Sequence, residues 1–420
     1  MTETHDHDDS CHDYGISRRN LLRSAGVVGM AGVATSMFGD VLTSTAFGAT
    51  TTGNVLVVLS LRGGADGLSM VVPHAETEYY KARPNTAIKV GELLGADSQF
   101  GLHPSFAKLL PWWQNGQMAA LHAVGLPVPN RSHFEAMELV EDADPGSAER
   151  VGWLNRMIGC FTRNDLFDGV QLGTTVMPTS LIGPEPAVAT SDFQSLSVPW
   201  GNDKTLGPRM RAALGSMYKD PGTVIGRAGV DALALDTKAG SIATIEKAGA
   251  QNGATYPNNS LGKALASSAA LIRSGVGVRA IAVDFGGWDN HVDLSWRVSN
   301  QIKDMSAALA AFLTDLGTDA SRVTVVTLSE FGRRLAQNGA AGVDHGYGNA
   351  VLAIGAGVKG GKYYANWPTL DPQQQLDGDL KVTTDYRCVL AEILERRFGS
   401  EVGVGTVFPG LGSQRLGFMA

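Results

Sequence analysis

The sequence predicts an α/β protein with a mostly parallel sheet flanked by helices, and three observations support this class. Apolar runs rich in β-branched residues recur along the chain, and each ends abruptly at Gly or polar residues. These runs are continuously apolar rather than alternating, which is typical of strands covered on both faces. Helical segments lie between the runs, and strands that alternate with helices build a parallel sheet.

Five of these runs are predicted to be strands. In chain order they are 55–59, 118–124, 278–283, 323–328 and 350–354. The first four lead into loops of Gly and polar residues. In open parallel sheets, ligands bind outside the carboxyl ends of the strands, so these loops are the expected place for a functional site.

Four segments between the runs are predicted to be helices: 104–113, 261–273, the Ala-rich 300–316, and 385–398. For the last of these, Thr384 is the expected N-cap and Gly399 the expected end. Residues 175–260 are rich in Gly, Ala, Ser, Thr and Pro with few strand patterns. We expect this segment to be an insertion that forms a helical cap region over the site.

The N-terminal segment has the layout of an export signal. Ser17, Arg18 and Arg19 precede an uncharged run over 24–39, and small residues follow near 44–48. This order is typical of a secretory signal, and the paired arginines make it a twin-arginine signal. An ordinary amphipathic helix is disfavoured because the run has no polar face. The sequence therefore predicts a signal peptide at 1–46, a folded domain at 47–420, the twin-arginine translocase as partner, and a periplasmic or extracellular location.

Composition excludes several classes of protein. Hydrophobic residues make up 44% of the chain, enough to fill a core, which excludes a disordered chain. The net charge is −7 and Lys and Arg are not clustered, so a nucleic-acid partner is not expected. No uncharged apolar stretch reaches the ~18 residues of a stable membrane span. After removal of the signal, Cys160 and Cys388 remain. The sequence does not decide between a disulfide joining them and two free thiols.

Two groups of polar residues follow the first two strands. Asp66 lies in a Gly-rich turn, where it is either a metal ligand or an Asp that closes the turn with its side chain. Ser132 begins a helix, and Ser132 with Glu135 forms a capping box. A hydroxyl at a helix N-terminus also meets the positive end of the dipole, which favours a nucleophile. Arg131 and His133 add charge and hydrogen-bond donors beside it, which capping alone does not explain.

The later loops carry further candidates. Asp289 and His291 offer a carboxylate and an imidazole two residues apart, a donor set that suits a transition metal, although a polar turn is the alternative. After the fourth strand, Glu330 is a possible ligand and Arg333 a possible clamp for an oxyanion. The alternative for this pair is an exposed Glu–Arg pair at a helix start.

Asp344 and His345 stand between glycines, a setting with few purely structural uses. They precede the fifth predicted strand, close in sequence to the loops described above. We therefore expect Asp66, Ser132, Asp289, His291, Glu330 and His345 to converge at the carboxyl edge of the sheet.

The chain resembles the exported domain-of-unknown-function family numbered fifteen hundred and one. The matching stretches span about 55–399: LRGGADGLSMVVP, FGLHPSF, NRSHFEAMELVE, GWLNR, GGWDNHVD, TLSEFGRRLAQNG, DHGYGN and TTDYR. That family is similar to the alkaline phosphatase and sulfatase superfamily, whose members use metal ions on an α/β sheet. The resemblance implies an alkaline phosphatase-like fold and a divalent metal cofactor, which is Zn, Mn or Ca.

The resemblance also implies roles for single residues. Ser132 matches the nucleophile, and the residue types and positions described above add His133, Arg131 and Arg333 as candidate supporting catalytic groups. The implied metal ligands are Asp66, Asp289, His291, Glu330 and His345. In an alternative register, Asp344 and His345 match the superfamily's Asp-His pair and Glu330 is structural.

The implied function is an exported metal-dependent hydrolase of phosphate or sulfate esters, acting on a small-molecule or glycan ester. The reaction would begin with attack by Ser132 on the ester, because a metal lowers the pKa of the hydroxyl and stabilises the developing charge. The alternative is a non-catalytic exported protein that uses the same pocket to bind an anionic envelope or glycan ligand.

Overall fold

The computed structural model describes residues 53–420, apart from 145, 146, 148, 163, 164, 199, 200, 202, 220 and 221. The predicted signal at 1–46, including Arg18 and Arg19, lies outside the described residues. Within the described part, no helix is both long and apolar enough to cross a membrane.

A central sheet of nine strands organises the described chain. The hydrogen-bonded order is β12-β4-β11-β8-β1-β7-β5-β6, and β13 also pairs with β4. Two short ladders, β2 with β3 and β9 with β10, lie outside this sheet. The strands are β1 Val55–Leu61, β2 Val71–Val72, β3 Gly101–Leu102, β4 Met118–Gly125, β5 Gly169–Leu172, β6 Val188–Thr190, β7 Ala280–Phe285, β8 Val323–Leu328, β9 Arg333–Gln337, β10 Val343–His345, β11 Asn349–Gly355, β12 Lys362–Tyr364 and β13 Thr384–Asp385.

The sheet is mostly parallel, which confirms the predicted fold class. β1 lies between β7 and β8 and runs parallel to both, so that Val57 pairs with Ile281 on one side and Val325 on the other. Among the described strands of this sheet, β11 runs opposite to its neighbours β4 and β8. The carboxyl ends of β4, β8, β1 and β7 therefore share one edge of the sheet with the start of β11.

The helices cover both faces of the sheet. Strand β1 shows why its sequence is continuously apolar, because Val55, Val57 and Leu59 pack into one core while Leu56 and Val58 pack into another. The helices are α1 Gly67–Met70, α2 Thr77–Ala82, α3 Leu110–Gln114, α4 His133–Asp142, α5 Trp153–Gly159, α6 Leu206–Met217, α7 Val224–Lys247, α8 Ser260–Arg273, α9 Leu294–Leu316, α10 Tyr386–Phe398 and α11 Val404–Val407. Short 3-10 turns lie at Val90–Glu92, Pro104–Lys108, Thr179–Leu181, Gly317–Arg322 and Gly399–Glu401.

Three of the predicted helices need correction. Helix α10 is capped by Asp385 rather than Thr384, because Asp385 Oδ1 accepts a hydrogen bond from the Arg387 amide at 2.9 Å while Thr384 pairs with β4. Helix α9 begins at Leu294, six residues before the predicted start. The segment predicted as one helix at 104–113 divides into a 3-10 turn and α3, with Pro near the start of each.

The segment 175–260, predicted to be an insertion, contributes to the sheet and to the core of the domain. Strand β6 extends the sheet beside β5. Helix α7 packs Leu235, Ala239 and Ile242 into the same core as α8 and α9. Cys160 and Cys388 are both free thiols, so the disulfide left open by the sequence does not form.

Candidate functional site

Two glycines bring the loops at the carboxyl edge into contact. The chain leaves β1 through Gly63, whose φ is +115°, and a Cβ there would lie 2.7 Å from the Asp289 amide nitrogen. Gly342 lies directly against His291, where a Cβ would lie 2.0 Å from the His291 carbonyl carbon. A side chain at either position would push these loops apart, so the two glycines allow Asp289 and His291 to meet the neighbouring segments.

Four side chains converge at this edge, and we call His133, Asp289, His291 and His345 the ligand cluster. His345 Nε2 lies 3.1 Å from His133 Nε2 and 3.1 Å from His291 Nε2. Asp289 Oδ1 lies 2.9 Å from His291 Nε2, 3.3 Å from His345 Nε2 and 3.6 Å from His133 Nε2. Ligand atoms of His133, Asp289 and His345 all fall within 4.8 Å of one another. His291 joins this trio through Asp289 and His345.

The far nitrogen of each imidazole faces a hydrogen-bond acceptor. Nδ1 of His133 lies 2.9 Å from Glu330 Oε1, and Nδ1 of His291 lies 2.9 Å from Asp344 Oδ1. Nδ1 of His345 lies 2.9 Å from the carbonyl oxygen of Arg131. Because these acceptors have no hydrogen to give, each Nδ1 carries the proton and donates it. In a neutral imidazole the other nitrogen is then unprotonated, so three neutral rings held in this way would present three Nε2 lone pairs.

The ligand cluster therefore brings three nitrogen lone pairs and one carboxylate oxygen together. Two bare nitrogens 3.1 Å apart cannot form a hydrogen bond, because neither carries a proton. Burial, with help from the nearby Arg333, lowers the pKa of His345 and favours its neutral form. Although burial opposes it, the hydrogen bond and charge of Arg333 hold the pKa of Asp289 below its ordinary value. A divalent cation would satisfy this set of lone pairs.

The spacing of these atoms fits a small ion. Around a tetrahedral zinc ion with ligands at about 2.0–2.1 Å, neighbouring ligand atoms lie about 3.3–3.4 Å apart. The five separations given above, from 2.9 to 3.6 Å, bracket this value, although the trio whose ligand atoms all lie within 4.8 Å of one another is His133, Asp289 and His345, without His291. The side chains of the cluster are also partly exposed, from 26% for His345 to 48% for Asp289. A solvated substrate can therefore reach the site, which distinguishes it from a closed structural site.

Glu330 lies behind the cluster rather than within it. The residue is 3% exposed, and its Oε1 accepts hydrogen bonds from the Gly63 amide at 2.8 Å and from His133 Nδ1. Asp344, by contrast, is exposed and accepts from His291 Nδ1 and from Asn338 Nδ2 at 3.1 Å. The hydrogen bond from His291, followed by that from Asn338, lowers the pKa of Asp344. In this arrangement both carboxylates orient a histidine from its far side.

Arg333 is almost fully buried and ties the loops of the site together. Its Nε donates to the carbonyl of Gly64 at 2.6 Å, and its Nη1 donates to the carbonyl of Val343 at 3.1 Å. Its Nη2 donates to Asp289 Oδ1 at 2.6 Å and to the carbonyl of Gly63. The sequence suggested an oxyanion clamp, but in the structure this guanidinium bonds the backbone and Asp289, and its Nη1 also lies 3.5 Å from His291 Nε2.

Asp66 lies in a buried ion pair and is not among the converging groups. Its carboxylate accepts two hydrogen bonds from Arg83, at 2.5 and 2.9 Å, and one from Ser69 Oγ at 2.5 Å. Arg83 in turn donates to the carbonyls of Leu335 and Arg334. Despite the opposing effect of burial, the charge and hydrogen bonds of Arg83 hold the pKa of Asp66 below its ordinary value.

Ser132 and Arg131 stand at the entrance to helix α4. Ser132 is exposed and is the N-cap of α4, where its Oγ accepts from the Glu135 amide over a long 3.5 Å. The Arg131 side chain forms an ion pair with the buried Asp379, while its carbonyl oxygen orients His345. The Ser132 hydroxyl is therefore held only by one long hydrogen bond, whereas the Arg131 guanidinium is held in an ion pair.

Sequence reasoning assigned His133 only a supporting role beside Ser132. The signal for a ligand was its position as the first residue of α4, because the Cα–Cβ bonds of a helix tilt towards its N-terminus. A side chain at that position therefore projects past the end of the helix. Phe331, also not anticipated, packs its ring 4.9 Å from the His133 ring and 4.8 Å from the His345 ring, centroid to centroid.

Comparison with known proteins places the chain in a family. A family model described as "Protein of unknown function (DUF1501)" matches residues 103–383, so the chain belongs to that family. No curated protein matches it.

Two solved structures show a distant likeness. The lipoteichoic acid synthase LtaP from Listeria monocytogenes is 10% identical, with a TM-score of 0.32 over 86% of this chain and 80% of its own. The PsFucS1 sulfatase from Pseudoalteromonas sp. is 12% identical, with a TM-score of 0.34 over 88% of this chain and 72% of its own.

Proposed function

Since membership of this family assigns no activity, we propose a function from the site: an exported metal-dependent hydrolase of phosphate or sulfate esters. The observation that carries the proposal is the convergence of three imidazole lone pairs and the Asp289 carboxylate on one partly exposed point. With neutral rings these four groups form no hydrogen bonds among themselves, although Arg333 donates to Asp289 Oδ1, and their exposure gives a substrate access.

His133, Asp289, His291 and His345 would hold the ion. This set differs from the ligands implied by sequence resemblance: His133 is added, and Asp66 and Glu330 are left out. Three imidazoles and one carboxylate suit zinc, whereas calcium takes six to eight oxygen ligands. Of the metals considered, zinc is therefore the proposed ion. When bound, it supplies a Lewis acid that polarises an ester oxygen and lowers the pKa of a hydroxyl group.

The residues of the chain prepare the site for that chemistry. Glu330 and Asp344 fix the tautomers of His133 and His291, so that each Nε2 is kept free of its proton. Arg333 holds Asp289 in place through the 2.6 Å hydrogen bond. Each nitrogen of its guanidinium already donates to the protein, so the group is not available to bind a substrate anion. We assign it a positioning role instead of the oxyanion clamp suggested by the sequence.

Ser132 is the proposed nucleophile. It precedes the ligand His133 directly, and its hydroxyl is exposed and only weakly held by the cap hydrogen bond. The N-terminus of the ten-residue helix α4 favours negative charge at this position, which assists an attacking alkoxide.

Export is the remaining part of the proposal, and it rests on the sequence of the N-terminal segment. Changing both Arg18 and Arg19 to Lys should leave the precursor in the cytoplasm. Cell fractionation measures this, and normal export of the double variant would refute the twin-arginine route.

Ser132→Ala tests the nucleophile, with Asn259→Ala as a matched control. Asn259 caps helix α8 by accepting from the Gly262 amide at 2.8 Å. Loss of either cap should cost about 0.5–2 kcal/mol of unfolding free energy. Only Ser132→Ala should abolish turnover of aryl phosphates, phosphodiesters or aryl sulfates, while its zinc content stays unchanged.

The opposite results identify the alternatives. If Ser132→Ala keeps full turnover, the serine is only a helix cap and the nucleophile assignment is wrong. If the zinc-loaded wild type turns over no ester of these classes, the hydrolase is refuted, and the non-catalytic anion-binding protein becomes the better account.

A further inference from the structure

Two exposed aromatic side chains lie close in sequence to residues of the ligand cluster. Phe134 is 92% exposed and directly follows His133, and Trp296 is 70% exposed and lies five residues after His291. In the part of the chain that the structure describes, these are the only exposed residues of the types Phe, Trp and Tyr. Between them in the site loops lies Val292, which directly follows His291 and is also exposed.

The surrounding loops share this apolar character. Of the eleven exposed large hydrophobic residues in the described part, seven follow the carboxyl ends of β4, β5 and β7. These seven are Val128, Phe134, Leu139, Val176, Ile182, Val292 and Trp296. Single apolar residues on a surface are ordinary, but here most of them fall in the segments that follow strand ends at the edge that carries the ligand cluster.

The helices do not need these aromatic side chains for packing. Helix α4 buries Ala136, Met137 and Val140, and α9 buries Leu294 and Val298. Phe134 and Trp296 lie outside these buried stripes, where an amphipathic helix ordinarily carries polar residues. Their apolar area is left open to solvent.

We propose that Phe134, Val292 and Trp296 form an apolar rim that binds the non-reacting part of the substrate. The substrate class is then an amphiphilic ester, with its anionic phosphate or sulfate group at the ligand cluster and an alkyl or aryl group on the rim. This inference rests on the proposed function and names its substrate class. Its basis is that Phe134 directly follows His133 and Val292 directly follows His291 in the chain, while all three rim residues are exposed.

Hydrophobic transfer sets the size of the effect. Complete burial of a methylene group contributes about 0.8 kcal/mol, or about fourfold in affinity. An open rim covers only one side of a chain, so we expect a smaller gain for each methylene. Over the seven methylenes that separate an octyl from a methyl group, a preference of at least about tenfold is expected.

The test measures binding of methylphosphonate, phenylphosphonate and octylphosphonate to the zinc-loaded full chain by calorimetry, with octylphosphonate kept below its micelle-forming concentration. The wild type should prefer the octyl or phenyl compound to methylphosphonate. The double variant Phe134→Ser with Trp296→Ser should lose that preference and bind methylphosphonate as before. Because both side chains are exposed, the variant should unfold at the same urea concentration as the wild type.

Val90→Ser and Leu206→Ser are the control variants, since both residues are exposed and apolar but lie outside the loops of the site. Both should keep the wild-type preference. Equal or absent binding of the phosphonates by the wild type would overturn the rim, as would an unchanged preference in the double variant.

Turnover of methyl and octyl phosphate separates this inference from the function on which it rests. A chain-length preference in binding without turnover of either ester would refute the hydrolase and leave the rim supported. Turnover of both esters with equal kcat/KM would support the hydrolase and overturn the rim.

Discussion

Two groups of charged residues near the carboxyl edge of the sheet differ in how their hydrogen bonds are balanced. In the ion-pair cluster of Asp66, Ser69 and Arg83, the donors of Arg83 and Ser69 meet the acceptors of Asp66 at 2.5–2.9 Å. In the ligand cluster, unprotonated nitrogens meet one another and a carboxylate oxygen. The excess of acceptors, rather than the presence of an Asp or a His, distinguishes the proposed metal site from the structural ion pair.

Burial separates the same two groups. The side chains of Asp66 and Arg83 have essentially no exposed surface, whereas those of the ligand cluster are partly open. A buried ion pair contributes mainly through the cost of breaking it. An open set of lone pairs contributes little to the fold until a ligand binds. Variants in the two groups should therefore have opposite effects on stability and metal binding.

The largest expected effect is loss of the ion from variants of the ligand cluster. Asp289→Ala and His345→Ala each remove a donor, so stoichiometric zinc binding should disappear and ester turnover with it. Elemental analysis after dialysis measures the zinc content. His74→Ala is the control, because His74 is a histidine of the same chain whose Nε2 bonds the Asp97 carbonyl. Equal zinc content in all three variants would show that Asp289 and His345 do not bind the ion, which contradicts the proposed difference between the two clusters.

The next largest effect concerns stability. Asp66→Asn leaves Arg83 buried without its charged partner, which should cost about 3–5 kcal/mol of unfolding free energy. The folded variant should still bind one zinc ion. Urea unfolding measures the cost, and a double variant with Asp66→Leu and Arg83→Met should recover part of it. If Asp66→Asn lost its zinc at unchanged stability, Asp66 would be a ligand after all.

Glu330→Gln and Asp344→Asn should have intermediate effects on the ion. Each replaces a carboxylate that orients a histidine, and loss of such a partner typically lowers metal affinity about 10–100-fold. Competition with a chelator of known affinity measures the change. Abolished binding in Glu330→Gln would instead indicate direct ligation.

The smallest expected effect is a pH dependence of the unfolding free energy, caused by Asp66 of the ion-pair cluster. The pKa of Asp66 is lowered in the folded protein, despite burial, by Arg83. Its contribution to stability is therefore complete above the unfolded pKa of about 3.9 and is lost as pH falls towards the folded value. The difference in unfolding free energy between wild type and Asp66→Asn should shrink below about pH 4. A difference that grew in acid would contradict the lowered pKa.

The sequence predicted the fold correctly for strands that are buried on both faces. Strand β8 has the predicted bounds 323–328, because a continuous β-branched run is specified by burial on both faces. The start of α9 was missed because its first turn carries Ser295 and Trp296 on the exposed side. Its N-cap, Asp293, has a φ of 51° and gives no side-chain cap hydrogen bond that a motif would reveal.

The site could be predicted only in outline. Asp289 and His291 follow a strand end in the sequence, as Asp66 does, and all three had the same grounds for a metal role. What separates them is tertiary. The partner of Asp66 is Arg83, 17 residues along the chain, and that of His291 is Asp344, 53 residues along. Hydrogen-bond partners at such distances cannot be inferred from local spacing.

The most direct test is a crystal of the zinc-loaded protein measured with anomalous scattering at the zinc edge. We predict one zinc peak, about 2.0–2.2 Å from Asp289 Oδ1 and from the Nε2 atoms of the ligand cluster, with none at Asp66. An ordered zinc ion at Asp66, or a ligand cluster without zinc under saturating conditions, would contradict the central claim.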